Sequence, residues 1–171
     1  MESNGKSVDR GGNKINYETG SIIWGSTGTN AQHAFFQLMH QGTKIIPSDF
    51  IAFKKSLYGD KTQHNILTSN FLAQTSALMM GKTSSDSNVH QNIDGNTPSN
   101  SLVINKLTPS NIGALISMYE NKIFTIGAIL NIYSYDQWGV ELGKSIARDI
   151  SEGKQGNLDS STIKMSEMLK K

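Results

Sequence analysis

Residues 28–53 read GTNAQHAFFQLMHQGTKIIPSDFIAF. A Gly/Ser/Thr stretch (Gly25 to Asn30) leads into a predicted helix of about three turns over Ala31–Gln41, with Thr29 or Asn30 able to cap its free amides. Gly42 ends it. Lys44 to Phe53 follows, carrying Ile45, Ile46, Phe50, Ile51 and Phe53, and reads as a mostly buried strand broken by Pro47. A helix stepping directly into an apolar strand is the punctuation of an α/β layer fold.

The flanking sequence extends the pattern. Thr62 to Met80 predicts a long helix, with Leu67, Phe71 and Leu78 within one arc and Leu72 and Met79 beside them. Gly81 to Asn100 is rich in Ser, Asn, Asp and Gly, and residues 82–93 read as a surface loop. Ser101 to Asn105 is a second buried-strand candidate. Thr108-Pro109 supplies a hydroxyl cap and then proline at the first helical position, opening a helix whose apolar face runs from Ile112 to Ile126. A further helix is expected from Tyr135 or Asp136 to about Glu152, before a polar tail over 153–171 in which Ile163 to Lys170 could form an amphipathic turn or two. Upstream, Ser7-Val8 and Ile15 to Tyr17 flank Arg10-Gly11-Gly12-Asn13 and predict a short hairpin. Ile22 to Trp24 is a short apolar run stopped by Gly25. Two strands and that run are few for three substantial helices, since a sheet buried on both faces needs more. The chain therefore reads as part of a domain.

Composition narrows the function classes. Sixteen Lys+Arg against fourteen Asp+Glu give a net charge of +2, too weak and too dispersed for a nucleic-acid or membrane-surface protein. Cysteine is absent, which removes disulfides, thiol nucleophiles and thiolate metal sites. No apolar stretch approaches the roughly 18 residues that cross a bilayer, and no leader pattern opens the sequence. A soluble, intracellular α/β protein is the expectation, with a cytoplasmic location.

Three clusters could carry chemistry. Gln137, Glu141 and Lys144 stand at i, i+4 and i+7 and would share one helix face. Trp138, Leu142, Ile146 and Ile150 form a separate apolar stripe expected to hold that helix against a core. The plain alternative is a surface helix with a Glu–Lys pair. Gly139 and Gly143 weigh against it, because interior glycine costs about 1 kcal/mol unless something must approach closely. His33 falls in the first turn of the Ala31–Gln41 helix, where the dipole disfavours imidazolium and suits the ring to proton transfer. His40 lies about 10 Å further along that axis, too far to share a metal ion, so no metal site is expected. His40 reads as structural, and His64 and His90 as solvated. Glu2, beside the first residue, is uninformative alone.

Together these segments resemble the glucose-6-phosphate isomerase (phosphoglucose isomerase) family. Met-Glu-Ser-Asn-Gly-Lys at 1–6 is similar to the family's catalytic-glutamate segment. Trp24-Gly25, Gly28-Thr29-Asn30 and Gln32 to Phe35, then His40 to Pro47, follow its histidine segment. Asp94-Gly95-Asn96 with Pro98, Leu107 to Pro109 and Lys122 to Phe124 continue it, and Gly127 through Lys144 is similar to its C-terminal signature. The resemblance covers about residues 1–150 in order.

It implies a partial three-layer α/β/α sandwich of sugar-isomerase (SIS) type, lacking the upstream domain and strands. Residues 1–152 would be the C-terminal part of the second such domain, and 153–171 a tail. It also implies interconversion of glucose 6-phosphate and fructose 6-phosphate through a cis-enediol, with no cofactor. Glu2 would be the base moving a proton between C1 and C2, His33 and Lys144 would assist ring opening, and Gln137 would lie in the substrate pocket. The histidine enters from the neighbouring subunit in this family, which implies a homodimer. Ser26-Thr27 stands where the family usually has Glu-Pro, Thr97 where it has Arg, and Asn121 where it commonly has His. The family's phosphate loop and enediolate-stabilising arginine lie upstream of its glutamate. The expectation is therefore a C-terminal fragment inactive alone. The rival is a non-catalytic truncated homologue or interaction module.

Overall fold

The computed structural model describes every residue except 85–87, 155–157 and 170–171. The chain divides into two compact units, Ile23–Glu120 and a second made of Met1–Ile22 with Asn121–Lys171.

In the first unit, α1 (Gly28–Gln32) and α2 (Phe36–Gln41) precede β1 (Ser48–Lys55), α3 (Lys61–Met80), β2 (Ser99–Lys106) and the start of α4 (Pro109–Ile129). β1 and β2 pair in parallel, in register from Ser48 against Ser99 to Lys55 against Lys106. This is the α/β class that the helix-to-strand step predicts, and the structure adds that the pairing is parallel. Asp60 caps α3 by accepting from the Gln63 amide at 2.9 Å, and the Thr108 hydroxyl accepts from Asn111 at 3.2 Å at the head of α4. Gly81 closes α3 at φ 64°, where a Cβ would run into the Ile93 carbonyl.

Several expectations need correction. The single helix over 31–41 is two, broken at His33–Phe35. Ala31 and Phe36 are both buried, and five residues of continuous helix would turn them about 140° apart. Breaking the helix lets both side chains reach one core. The capping position of α1 is Thr27, with no side-chain cap bond, so neither Thr29 nor Asn30 serves there. β1 starts after Pro47 and is not broken by it, leaving Ile45 77% exposed. Neither strand is fully buried: both carry half-buried residues interleaved with exposed ones.

The core of this unit is Ala31, Phe36, Met39 and Leu78, with Phe35 and Phe50 packed against it. Rings link the elements in sequence: Trp24 to Phe35 (6.1 Å), Phe35 to Phe36 (5.7 Å), Phe36 to Phe50 (6.0 Å) and Phe50 to Phe71 (6.3 Å). Most meet edge to face, the arrangement favoured by the ring quadrupoles. His40 is structural as expected, its Nε2 2.9 Å from Gln74 Oε1 on α3. Leu67, Leu72 and Met79 stay exposed, so the predicted arc narrows to Phe71 and Leu78. The loop over 82–93 is tied by a Lys82–Ile93 bridge and a 3-10 turn at Val89–Gln91; its residues 85–87 lie outside the described residues.

In the second unit the expected hairpin is present in miniature, with a single Val8–Lys14 bridge and Gly12 at φ 84°. Helix α5 spans Trp138–Ser151 and α6 spans Ser160–Leu169. α6 is longer than the turn or two expected; Asp159 accepts from the Ser161 and Thr162 amides at 3.0 Å and fixes its start. The apolar stripe on α5 is not held against a core: Trp138 is 75% and Leu142 62% exposed. Ile132 is fully buried, and Asn4 is buried beside Gly127.

Candidate functional site

The site in the second unit is assembled around the chain's first six residues. The Gly5 amide donates to the Met1 carbonyl at 3.0 Å, folding Met1 to Gly5 into a tight turn that carries exposed Glu2. Asn4 anchors the turn from below. Its Nδ2 donates to the Ile123 carbonyl at 2.9 Å, and its Oδ1 accepts from Ser134 Oγ at 2.6 Å. Gly127 is required here, because a Cβ would run into the Ser134 hydroxyl. With two bonds satisfied, a buried amide holds a turn whose backbone has no regular ladder to hold it.

The same turn is stitched to the segment leading into α5. The Ser3 carbonyl accepts from the Tyr135 amide at 3.2 Å and from Lys6 Nζ at 2.7 Å, and Lys6 Nζ also donates to the Asp136 carbonyl at 2.7 Å. Tyr135 has φ 73°, a left-handed conformation costing a non-glycine residue about 1–2 kcal/mol. That reversal ends any helix at this point. Gln137 is therefore the residue capping α5, not part of its face as expected, and its carbonyl accepts from Val140 (3.0 Å) and Glu141 (3.1 Å).

Glu2, Lys6, Asp136, Gln137 and Trp138 line one open groove of about 450 Å³, with Met1, Gly5, Ser7, Val8, Gly139 and Val140. Glu2 and Gln137, 135 positions apart, are thus brought together. Lys144 is not in that lining. Its Nζ pairs with Glu141 Oε1 at 2.8 Å, both side chains being more than half exposed. Beyond their own helix turn, no described residue lies within 4 Å of a Cβ built on Gly139 or Gly143, so no other backbone of the described residues approaches there.

His33 belongs to the first unit and is exposed. It occupies the C-terminal cap of α1, its amide donating to the Asn30 carbonyl at 3.3 Å, instead of the first turn of a longer helix. It therefore does not stand at the positive end of a helix dipole. Sequence reasoning also passed over Lys6, Asn4, Ser134 and Tyr135. The first two sit inside the quoted 1–6 motif without a role, and nothing in the sequence marks Tyr135 for a positive φ.

Residues 1–166 match the family model described as phosphoglucose isomerase. The chain belongs to the phosphoglucose isomerase family. It is 53% identical over 186 aligned positions to a glucose-6-phosphate isomerase of Christiangramia forsetii, covering 96% of this chain and 34% of that protein. A glucose-6-phosphate isomerase of Blochmanniella floridana is 54% identical, covering 95% and 33%. Among solved structures, a glucose-6-phosphate isomerase from Chlamydia trachomatis superposes with a TM-score of 0.85 at 38% identity, covering 99% of this chain and 34% of that one. The chain spans about a third of the length of these relatives. Among the described residues no helix is long and apolar enough to cross a membrane.

Proposed function

We propose that residues 1–171 form the C-terminal catalytic segment of an aldose–ketose isomerase that interconverts glucose 6-phosphate and fructose 6-phosphate in the cytoplasm, as a homodimer and without a cofactor. Residues 1–152 are read as the end of its second sugar-isomerase-type domain. The observation that carries the reading is the groove shared by Glu2 and Gln137 in a chain of this family.

Glu2 is exposed on a fixed turn and can reach a bound sugar. Its carboxylate takes the proton from C2 of the open-chain aldose, the C2–H electrons form the enediol double bond, and the C1 carbonyl oxygen gains a proton. Return of the carboxyl proton to C1, with loss of the O2 proton, gives the ketose. One carboxylate serves both carbons because they are adjacent. Gln137 can donate and accept at sugar hydroxyls across the groove.

Lys144 is assigned to ring opening, for which it must leave Glu141. An exposed pair of this kind is worth less than about 1 kcal/mol, so a substrate oxygen can displace it. His33 is assigned to the same step from the neighbouring subunit of the homodimer, as the family resemblance implies.

In an enzyme of full family length carrying this segment, Glu2→Gln abolishes isomerisation while ring opening persists, read by a coupled assay beside anomer interconversion. Loss of both steps would overturn the division of labour. A full-length protein that folds but binds no sugar phosphate would favour a non-catalytic homologue instead. The 171-residue chain alone is expected to show negligible turnover, because its groove is open and the phosphate-binding loop of the family is placed upstream by the resemblance.

A further inference from the structure

We propose that Lys6 is the positioning residue that fixes Glu2 relative to Gln137; the proposal rests on the isomerase reading above. A single ammonium bonds two backbone carbonyls at 2.7 Å, those of Ser3 and Asp136. The first carbonyl belongs to the residue after Glu2, and the second to the residue before Gln137. The two chain segments that line the groove are therefore joined through one side chain across 130 positions of sequence.

The surrounding geometry supports a holding role. The Ser3 carbonyl is shared with the Tyr135 amide, so the lysine reinforces the contact that meets the left-handed Tyr135. The Lys6 backbone is itself pinned, its amide donating to Thr19 Oγ1 at 3.2 Å and its carbonyl accepting from that hydroxyl. A bond from a charged donor is shorter and stronger than a neutral one, matching both distances. Lysine suits the task because its compact ammonium offers three rotatable donors from one atom, whereas arginine presents a wider planar fork. Lys6 acts through Glu2, whose carboxylate must meet C1 and C2 in turn. An error of about 1 Å in such placement can cost about a hundredfold in rate.

The test compares wild type, Lys6→Met, Lys6→Arg and Glu2→Gln in the full-length enzyme, using glucose 6-phosphate with and without deuterium at C2. Lys6→Met keeps the stem and removes the donors. It is expected to lower kcat by about tenfold or more with KM within about threefold, and to enlarge the isotope effect as proton transfer becomes limiting. Lys6→Arg should fall between it and wild type. Hydrogen exchange at the Tyr135 amide should quicken in Lys6→Met and not in Glu2→Gln. An unchanged kcat in Lys6→Met, or a fall in kcat with the isotope effect unmoved, would overturn the proposal. Should Lys6→Met not fold, Lys6→Arg carries the same comparisons. If Glu2→Gln keeps isomerase activity, the isomerase reading fails, while the Tyr135 exchange still reports whether Lys6 joins the two segments.

Discussion

The two units are held by different kinds of force. Ile23–Glu120 is organised by apolar burial: Leu78 is 1% exposed, Ala31 2%, and a succession of aromatic rings runs from Trp24 to Phe71. The other unit has Ile132 fully buried but is otherwise organised by donors and acceptors converging on backbone carbonyls, through Asn4, Lys6, Arg10 and Tyr17. Apolar contacts are forgiving in direction, and hydrogen bonds are not. The groove that carries Glu2 and Gln137 is built in the second kind of unit.

The comparison can be broken from either side. The largest effect is expected for Leu78→Ala, which empties the centre of the apolar cluster. A loss of about 3 kcal/mol, within the range for buried leucine, should appear as faster hydrogen exchange along β1 and β2. A loss below about 1 kcal/mol would mean that the cluster collapses around the gap. Asn4→Ala comes next. It strips the Ile123 carbonyl and the Ser134 hydroxyl of a buried partner, at about 1–3 kcal/mol, and should be read at the Ile132 amide, which donates to Gly127 at 3.0 Å. Unchanged exchange there would show that the polar frame does not depend on its central amide.

The smallest effect concerns pH. The Asn13 backbone amide, then its side chain, hold the Asp9 carboxyl below its ordinary value. A lowered folded-state pKa contributes stability that is present above the unfolded value and is lost as pH falls through the folded one. The hairpin should therefore loosen only below the usual carboxylate range, followed by the amide shifts of Gly12 and Asn13. Loosening nearer neutrality would assign the hairpin to another group.

Much of the first unit was legible because its signals are local. Thr108-Pro109 marks a helix start by chemistry that acts within four residues; the Asp60 cap and the Gly81 stop of α3 are as local, though the sequence reading does not single them out. The break between α1 and α2 was not legible, since His33 to Phe35 contain no breaker. It follows from burying Ala31 and Phe36 together. The second unit hides its construction for a complementary reason. Lys6 to Asp136 and Asn4 to Ser134 each span 130 positions, and no spacing rule reaches that far. The quoted motifs named Glu2 and Gln137, but their meeting in one groove is a product of tertiary contacts.

The parallel pair of β1 and β2 has a consequence for handling the chain. In the 171-residue chain by itself, with two strands in the sheet among the described residues, each is a rim, and each offers an outward row of amides and carbonyls to an extended peptide. Strand rims of this sort template their own multiplication. The register places Lys55 beside Lys106 at one end, so every copy added in alignment would bring further positive charge into the same column. Mutual repulsion at that end works as a brake on stacking, one that high salt would release.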